Sequence, residues 1–230
     1  MVFFRASDAA TGSELWVSDG TPQGTQLFLD LYDSARTLDS DAYLVTTHRD
    51  EVALVADDGV SGKQLWLTDG TAAGTRAMSS FGPGIWAARA ASTGSFLFAS
   101  IDGPGLSDDP WIYRNASIGL QQLPVGATYP GFRAGNAVAA GGQVVFAGVT
   151  TAGGAEPWIS DGTLAGTRPI ADLVPGAGHS GPSNFWHWRG KTFFRANTSA
   201  SGGEPWVTDG TAAGTFQLAE MLPGSAGVLN

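Results

Sequence analysis

Cysteine is absent from the 230 residues, which excludes disulfides, zinc–thiolate centres and cysteine nucleophiles together. Charge is scarce as well, at 14% of residues, against about 25% in an ordinary globular domain. What charge there is runs negative: 12 Lys+Arg face 21 Asp+Glu, a net of −9. With no basic run anywhere, this argues against nucleic acid and against anionic membrane surfaces as partners. Apolar stretches are only a few residues long, so no membrane insertion is expected. No window carries a capped 3.6-residue apolar period, and no helices are predicted. A Gly-x-Ser-x-Gly elbow, a phosphate loop and a His-Glu-x-x-His pair are all missing.

Glycine and tryptophan are abundant instead, at 33 and 8 residues, and hydrophobic residues at 43% supply one sizeable core. The chain also repeats itself. Glu14-Leu-Trp-Val-Ser-Asp-Gly-Thr21 recurs as Gln64–Thr71, Glu156–Thr163 and Glu204–Thr211, with a weaker copy at Asp109–Asn115. The tryptophans fall at 16, 66, 111, 158 and 206, in steps of 50, 45, 47 and 48. Four copies continue to a second Gly-Thr, and the third has lost this turn, reading Asn115-Ala-Ser-Ile-Gly119. A period of 45–50 residues built from short strands is the arithmetic of propeller blades.

Each repeat reads as four strands. In the fourth they are Ala137–Ala140, Gln143–Val149, Glu156–Ser160 and Thr167–Leu173. In Asp-Gly-Thr-x-x-Gly the aspartate caps a turn, and glycine supplies a positive φ. The predicted fold is therefore all-β: a five-bladed propeller of four-stranded antiparallel blades, a single domain over 1–230. The blades cover 224–230 plus 1–33, then 38–81, 85–124, 135–174 and 183–222. Val2-Phe-Phe-Arg-Ala6 matches Thr192-Phe-Phe-Arg-Ala196, a second strand. Residues 224–230 read as a lead-in to a first strand, so pairing of the two termini would close the ring.

The Glu-Leu-Trp-x-Ser/Thr-Asp-Gly-Thr-x-x-Gly-Thr pattern resembles the ELW/DGT-type tandem repeats of large bacterial secreted and surface proteins. That resemblance implies a β-propeller and a secreted or cell-surface location, although Met1 runs straight into a strand with no signal peptide. It supplies no catalytic residues. Blade number and length are also similar to the five-bladed tachylectin-type lectins, an architectural likeness only.

One explanation must serve all five repeat tryptophans: wedges between blades burying about 150–250 Å² each, or a ring of sugar-stacking platforms. The wedge is preferred. The repeated Asp19, Asp69, Asp161 and Asp209 read as turn caps, since one carboxylate per turn falls short of a calcium shell. Neither a metal nor a cofactor is expected. Residues that break the repeat are more informative. Trp186, His187 and Trp188 place bulk where other first strands carry small side chains, either as a plug or as a binding platform. Arg5 and Arg195 stand where other repeats have Val55, Ala99 and Ala147. They would pair across the strands with Glu14 and Glu204, or together form a fork for a carboxylate or phosphate. His179 lies in an irregular connection on the expected loop face.

These residues define the expectation of a non-catalytic, multivalent carbohydrate-binding module, lectin-like, for a glycan or small polar ligand. The ligand residues would be Arg5, Arg195, His179, Trp186, His187 and Trp188. Two alternatives remain. One is a structural or adhesive module of a larger surface protein, with protein partners. The other is a glycosidase-like enzyme at the channel mouth, with Asp39 or Asp41 facing His48 or His187.

Overall fold

The computed structural model describes residues 2–31, 39–82, 84–123, 137–150 and 154–221. These form five antiparallel sheets, and no helix occurs among the described residues. The first sheet is β1 (Val2–Asp8), β2 (Gly12–Ser18) and β3 (Gln26–Leu29). The second is β4 (Tyr43–His48), β5 (Glu51–Asp57), β6 (Lys63–Thr68) and β7 (Arg76–Ala77). The third is β8 (Ala87–Ser92), β9 (Leu97–Gly103), β10 (Leu106–Tyr113) and β11 (Leu120–Gln122). The fourth is β12 (Ala137–Ala140), β13 (Gln143–Thr150), β14 (Gly154–Ser160) and β15 (Arg168–Pro169). The fifth is β16 (Ser183–Trp188), β17 (Lys191–Ala196), β18 (Glu204–Thr208) and β19 (Phe216–Gln217). Strand order follows chain order in every sheet, as a meander requires. The innermost strand expected for the first sheet falls at 224–230, which lie outside the described residues.

The chain separates into two compact units. The first comprises Met1–Arg89, Ile101–Leu106 and Arg114–Leu120. Its core gathers Leu15, Ala42, Leu54 and Ala56, with Phe3, Phe28 and Trp66 packed against them. The second comprises Ala90–Ser100, Ser107–Tyr113 and Gln121–Asn230. There Phe96, Phe98, Val144, Phe146 and Trp158 form one cluster, and Phe194, Ala196 and Trp206 another.

Repeat identity survives at the level of register. Phe4 pairs with Trp16, Leu54 with Trp66, Phe146 with Trp158 and Phe194 with Trp206. Two of these indoles illustrate the wedge. Trp66 joins a cluster containing Leu15 and Phe3 of the first sheet, and its Nε1 donates to Ala56 O at 3.1 Å. Trp158 lies in one cluster with Phe98 of the third sheet.

Fourth strands are shorter than the sequence reading. In the fourth sheet only Arg168–Pro169 pair, not Thr167–Leu173. Pro169 has no N–H to donate. Ile170 N–H makes one more bond, to Pro157 O at 2.8 Å, before the chain turns away to serve a different acceptor.

The Asp-Gly-Thr turns are built as read. Asp19 accepts from Thr21 N–H at 2.9 Å and from the Thr21 hydroxyl at 2.7 Å. Thr21 Oγ1 in turn accepts from Gly24 N–H at 3.0 Å. The same bonds recur around Asp69, Asp161 and Asp209. The second glycine is obligatory, because a Cβ at Gly24 would fall on the Asp19 carboxylate. Although the third repeat has lost the motif, Asn115 Oδ1 accepts from Ser117 and Ile118 N–H, so an asparagine caps in place of the aspartate.

Candidate functional site

The glutamate that opens each repeat motif is not a surface residue. Glu14, Glu156 and Glu204 are at most 3% exposed, and Gln64 holds the same position at 1%. Each carboxylate ties down the chain that follows its sheet. Glu156 Oε1 accepts from Ser180 N–H at 3.1 Å, and its Oε2 from the Ser180 hydroxyl at 2.7 Å and Leu173 N–H at 2.9 Å. Glu14 accepts from Ser40 N–H at 2.8 Å, and Glu204 from Met221 N–H at 2.8 Å. Burial holds the Glu14 and Glu156 carboxyls above the ordinary glutamate range, against the lowering effect of these hydrogen bonds.

This arrangement overturns the expected Arg5–Glu14 and Arg195–Glu204 pairs. Arg5 stands opposite Leu15 and Arg195 opposite Pro205, while the glutamates stand opposite Ala6 and Ala196. A one-residue offset puts the paired candidates on opposite faces of the sheet. Arg5 instead donates to the Ser13 hydroxyl through Nε at 2.7 Å and to Asp41 at 2.8 Å. Lys63 completes the group, donating to the other Asp41 oxygen at 2.8 Å. Asp41 carries φ 52°, where the matching position after Ser180 is Gly181 at φ 55°. A left-handed backbone that glycine adopts freely is thus held by an aspartate, which suits αL better than most residues. Hydrogen bonding to Lys63, with the attraction of both cations, holds its carboxyl below the usual range.

The two arginines fall in different compact units, and each has its own surroundings. Arg195 lies against Gly203, whose missing side chain makes room for the guanidinium. It lines an open cavity of about 390 Å³ with Asn184, Phe193, Glu204, Pro205 and Met221. His179 is used structurally: its Nδ1 accepts from Ala155 N–H at 2.9 Å. Asp39 does the same for Ser13 N–H at 2.7 Å, each residue immediately preceding the serine that serves the buried glutamate. Asp39 and Asp41 are therefore engaged by Ser13, Arg5 and Lys63. His48 is 1% exposed, and burial favours its neutral imidazole. Among the described residues no group of three His, Asp or Glu side chains is placed to hold a metal ion.

Trp186 and Trp188 behave differently from the repeat tryptophans. They project from one face of β16, which is an edge of the fifth sheet, at 70% and 55% exposure. Arg189 sits over the Trp188 ring, 4.5 Å from its centroid. His187 points to the other face, where Nδ1 bonds the Thr192 hydroxyl at 3.0 Å. Trp188 pairs with Lys191 and Ser183 with Arg195, so Arg195 is about 13 Å of strand away from the Trp188 end. Of the five predicted ligand residues in the second unit, His179 is bonded to Ala155 and His187 to Thr192, while Trp186 and Trp188 share the face of β16 opposite to His187. Sequence reasoning also missed the buried glutamates' role, because a motif glutamate beside a tryptophan carries no signal of burial.

No family model matches the chain, and no curated protein matches it in sequence. Solved structures do. The β-propeller domain of the Trilobed protease from Pyrococcus furiosus superposes with a TM-score of 0.57 at 14% identity, over 96% of this chain and 66% of that one. The acylaminoacyl peptidase of Pyrococcus horikoshii gives 0.54 at 14%, over 95% and 34%. A puromycin-hydrolyzing peptidase of Mycobacterium tuberculosis gives 0.54 at 11%, over 99% and 38%. The chain spans about a third of the length of these two peptidases. At such identities the likeness concerns fold alone: this is an all-β chain of propeller type.

Proposed function

We propose that this chain is a non-catalytic binding module whose ligand face is the Trp186–Trp188 edge of the fifth sheet, and that the ligand is a glycan. The single observation supporting it is the exposure of both indoles on one strand face, while the repeat-locked Trp158 and Trp206 are covered. An indole face stacks on the apolar face of a sugar ring, and Arg189 supplies donors for hydroxyls beside Trp188. Because the repeated residues serve turns and tethers, the reading favours one such face over several equivalent ones. In this proposal the five sheets act as propeller blades, with residues 224–230 completing the first, and the module works at the cell surface or outside the cell. A glycan array followed by calorimetry tests the ligand: binding that disappears in Trp186→Ala and Trp188→Ala supports it, and absence of any sugar binding across salt conditions overturns it.

A second reading, a protein-interaction module, is favoured by a row of apolar side chains crossing all four strands. Trp186 pairs with Phe193, Phe193 with Val207 and Val207 with Phe216, whose side chain is half exposed. A protein partner would cover the exposed ends of this row, Trp186 and Phe216, since Val207 between them is already buried.

A further inference from the structure

The open face of β16 and β17 sets cations beside indoles. Trp188 stands opposite Lys191 and Trp186 opposite Phe193, and residues paired in this way project from the same face. Arg195 lies two residues beyond Phe193, so it joins that face about 7 Å farther along β17, diagonal to Trp186. Arg189 ends the row, over the Trp188 ring. The whole chain carries a net charge of −9, yet residues 183–196 hold three of its 12 Lys and Arg and no Asp or Glu. The ion pairs among the described residues use Arg5, Lys63 and Arg76, so none of these three cations is held in one. Asp209, whose carboxyl Lys191 helps to keep ionised, is bonded to Thr211 in its own turn. A local positive stripe thus runs along an otherwise acidic protein.

Arg195 is the best placed of the three. Its guanidinium packs against Gly203, where any side chain would collide with it, and lines the open cavity of about 390 Å³ with Asn184, Phe193 and Pro205. Glu204 also lines this cavity, but it stands one residue out of phase, opposite Ala196, and accepts from Met221 N–H. The sheet does not require the arginine: Ala147 stands opposite Pro157 as Arg195 stands opposite Pro205, and the fourth sheet forms all the same. A planar guanidinium in a largely apolar wall suits a carboxylate better than any neutral hydroxyl. Resting on the glycan reading of this edge, we infer that the ligand is an acidic glycan containing uronic-acid units. One sugar ring stacks on Trp186 while a ring carboxylate enters the cavity and is held by Arg195. Lys191 and Arg189 carry the same charge preference along Trp188.

Uronic-acid oligosaccharides and their methyl esters test this by calorimetry, since esterification removes the charge and keeps the rings. The acid form is expected to bind roughly tenfold more tightly than the ester, as one charge-assisted contact provides. Rising salt should shrink that advantage. Arg195→Gln, which the Ala147 precedent shows the sheet can accommodate, should remove the preference and leave ester binding unchanged. Trp186→Ala should abolish binding of both forms. Equal affinity for acid and ester, an Arg195→Gln loss shared by both, or binding of neutral glycans alone overturns the inference while the glycan reading stands. Absence of any sugar binding overturns both.

Discussion

Ser180 donates to both oxygens of Glu156, from its backbone N–H at 3.1 Å and its hydroxyl at 2.7 Å, across 24 residues of sequence. One buried carboxylate thereby anchors the connection between the fourth and fifth sheets. Glu156→Ala is expected to destabilise the protein by about 2–3 kcal/mol, since Leu173 N–H loses its acceptor and Ser180 keeps only Ala155 O. Ser180→Ala removes only the hydroxyl and should cost about 1 kcal/mol. Urea midpoints at constant slope check both, and equal losses would contradict the geometry.

The same burial sets a pH dependence. Glu14 and Glu156 have raised folded-state values, so their contribution is fully present below about pH 4.5, the ordinary glutamate value, and is lost as pH rises through the raised one. Asp41 is lowered chiefly by its bond from Lys63, so its contribution is lost as pH falls through that lowered value. Glu156→Gln should therefore flatten the decline of stability above pH 4.5. Urea titrations at closely spaced pH values measure the slope, and an unchanged slope would refute the assignment.

Two tryptophans of the second unit should part company on substitution. Trp158→Ala opens a cavity among Phe98, Val144 and Phe146 and is expected to cost about 3–5 kcal/mol. Trp188→Ala, on an open strand face, should stay within about 0.5 kcal/mol of the parent. Thermal unfolding of the two variants side by side distinguishes wedge from platform.

At Asp41 backbone and side chain oppose each other. Asp41→Gly relieves the φ of 52° but loses the Arg5 and Lys63 pairs, and these partly exposed contacts are worth about 0–1 kcal/mol each. The net change is expected within about 1 kcal/mol. Asp41→Ala loses the pairs without full backbone relief and should be less stable than the glycine variant. Denaturation at low and high salt checks the ordering, and the parent alone should weaken as these pairs are screened.

Much of the architecture was legible because it is local. Asp19, Gly20, Thr21 and Gly24 lie within six residues, and their hydrogen bonds follow from turn chemistry wherever the motif stands. The β1 and β17 match was legible for the same reason, since identical short strings adopt identical registers. Strand ends were less so: Pro169 announced that pairing would weaken, but the early departure reflects Leu173 reaching for a glutamate 17 residues earlier. The arginine pairing failed on parity, because Arg5 and Glu14 are close along the hairpin yet occupy opposite faces.

The amino-acid order alone determined the repeat, the all-β class, the turn caps and the odd residues of the fifth sheet, all short-range consequences of side-chain type and spacing. Tertiary structure decided which of those residues are occupied. Only packing could bury Glu156 and supply Ser180, turn Asp39 and His179 into backbone acceptors, and bring Asp41 between Arg5 and Lys63. Those contacts join residues tens of positions apart, where no local preference reaches. Arg5, His179 and His187 are held by hydrogen bonds to other parts of the fold, whereas Trp186 and Trp188 stand exposed and Arg195 lines an open cavity.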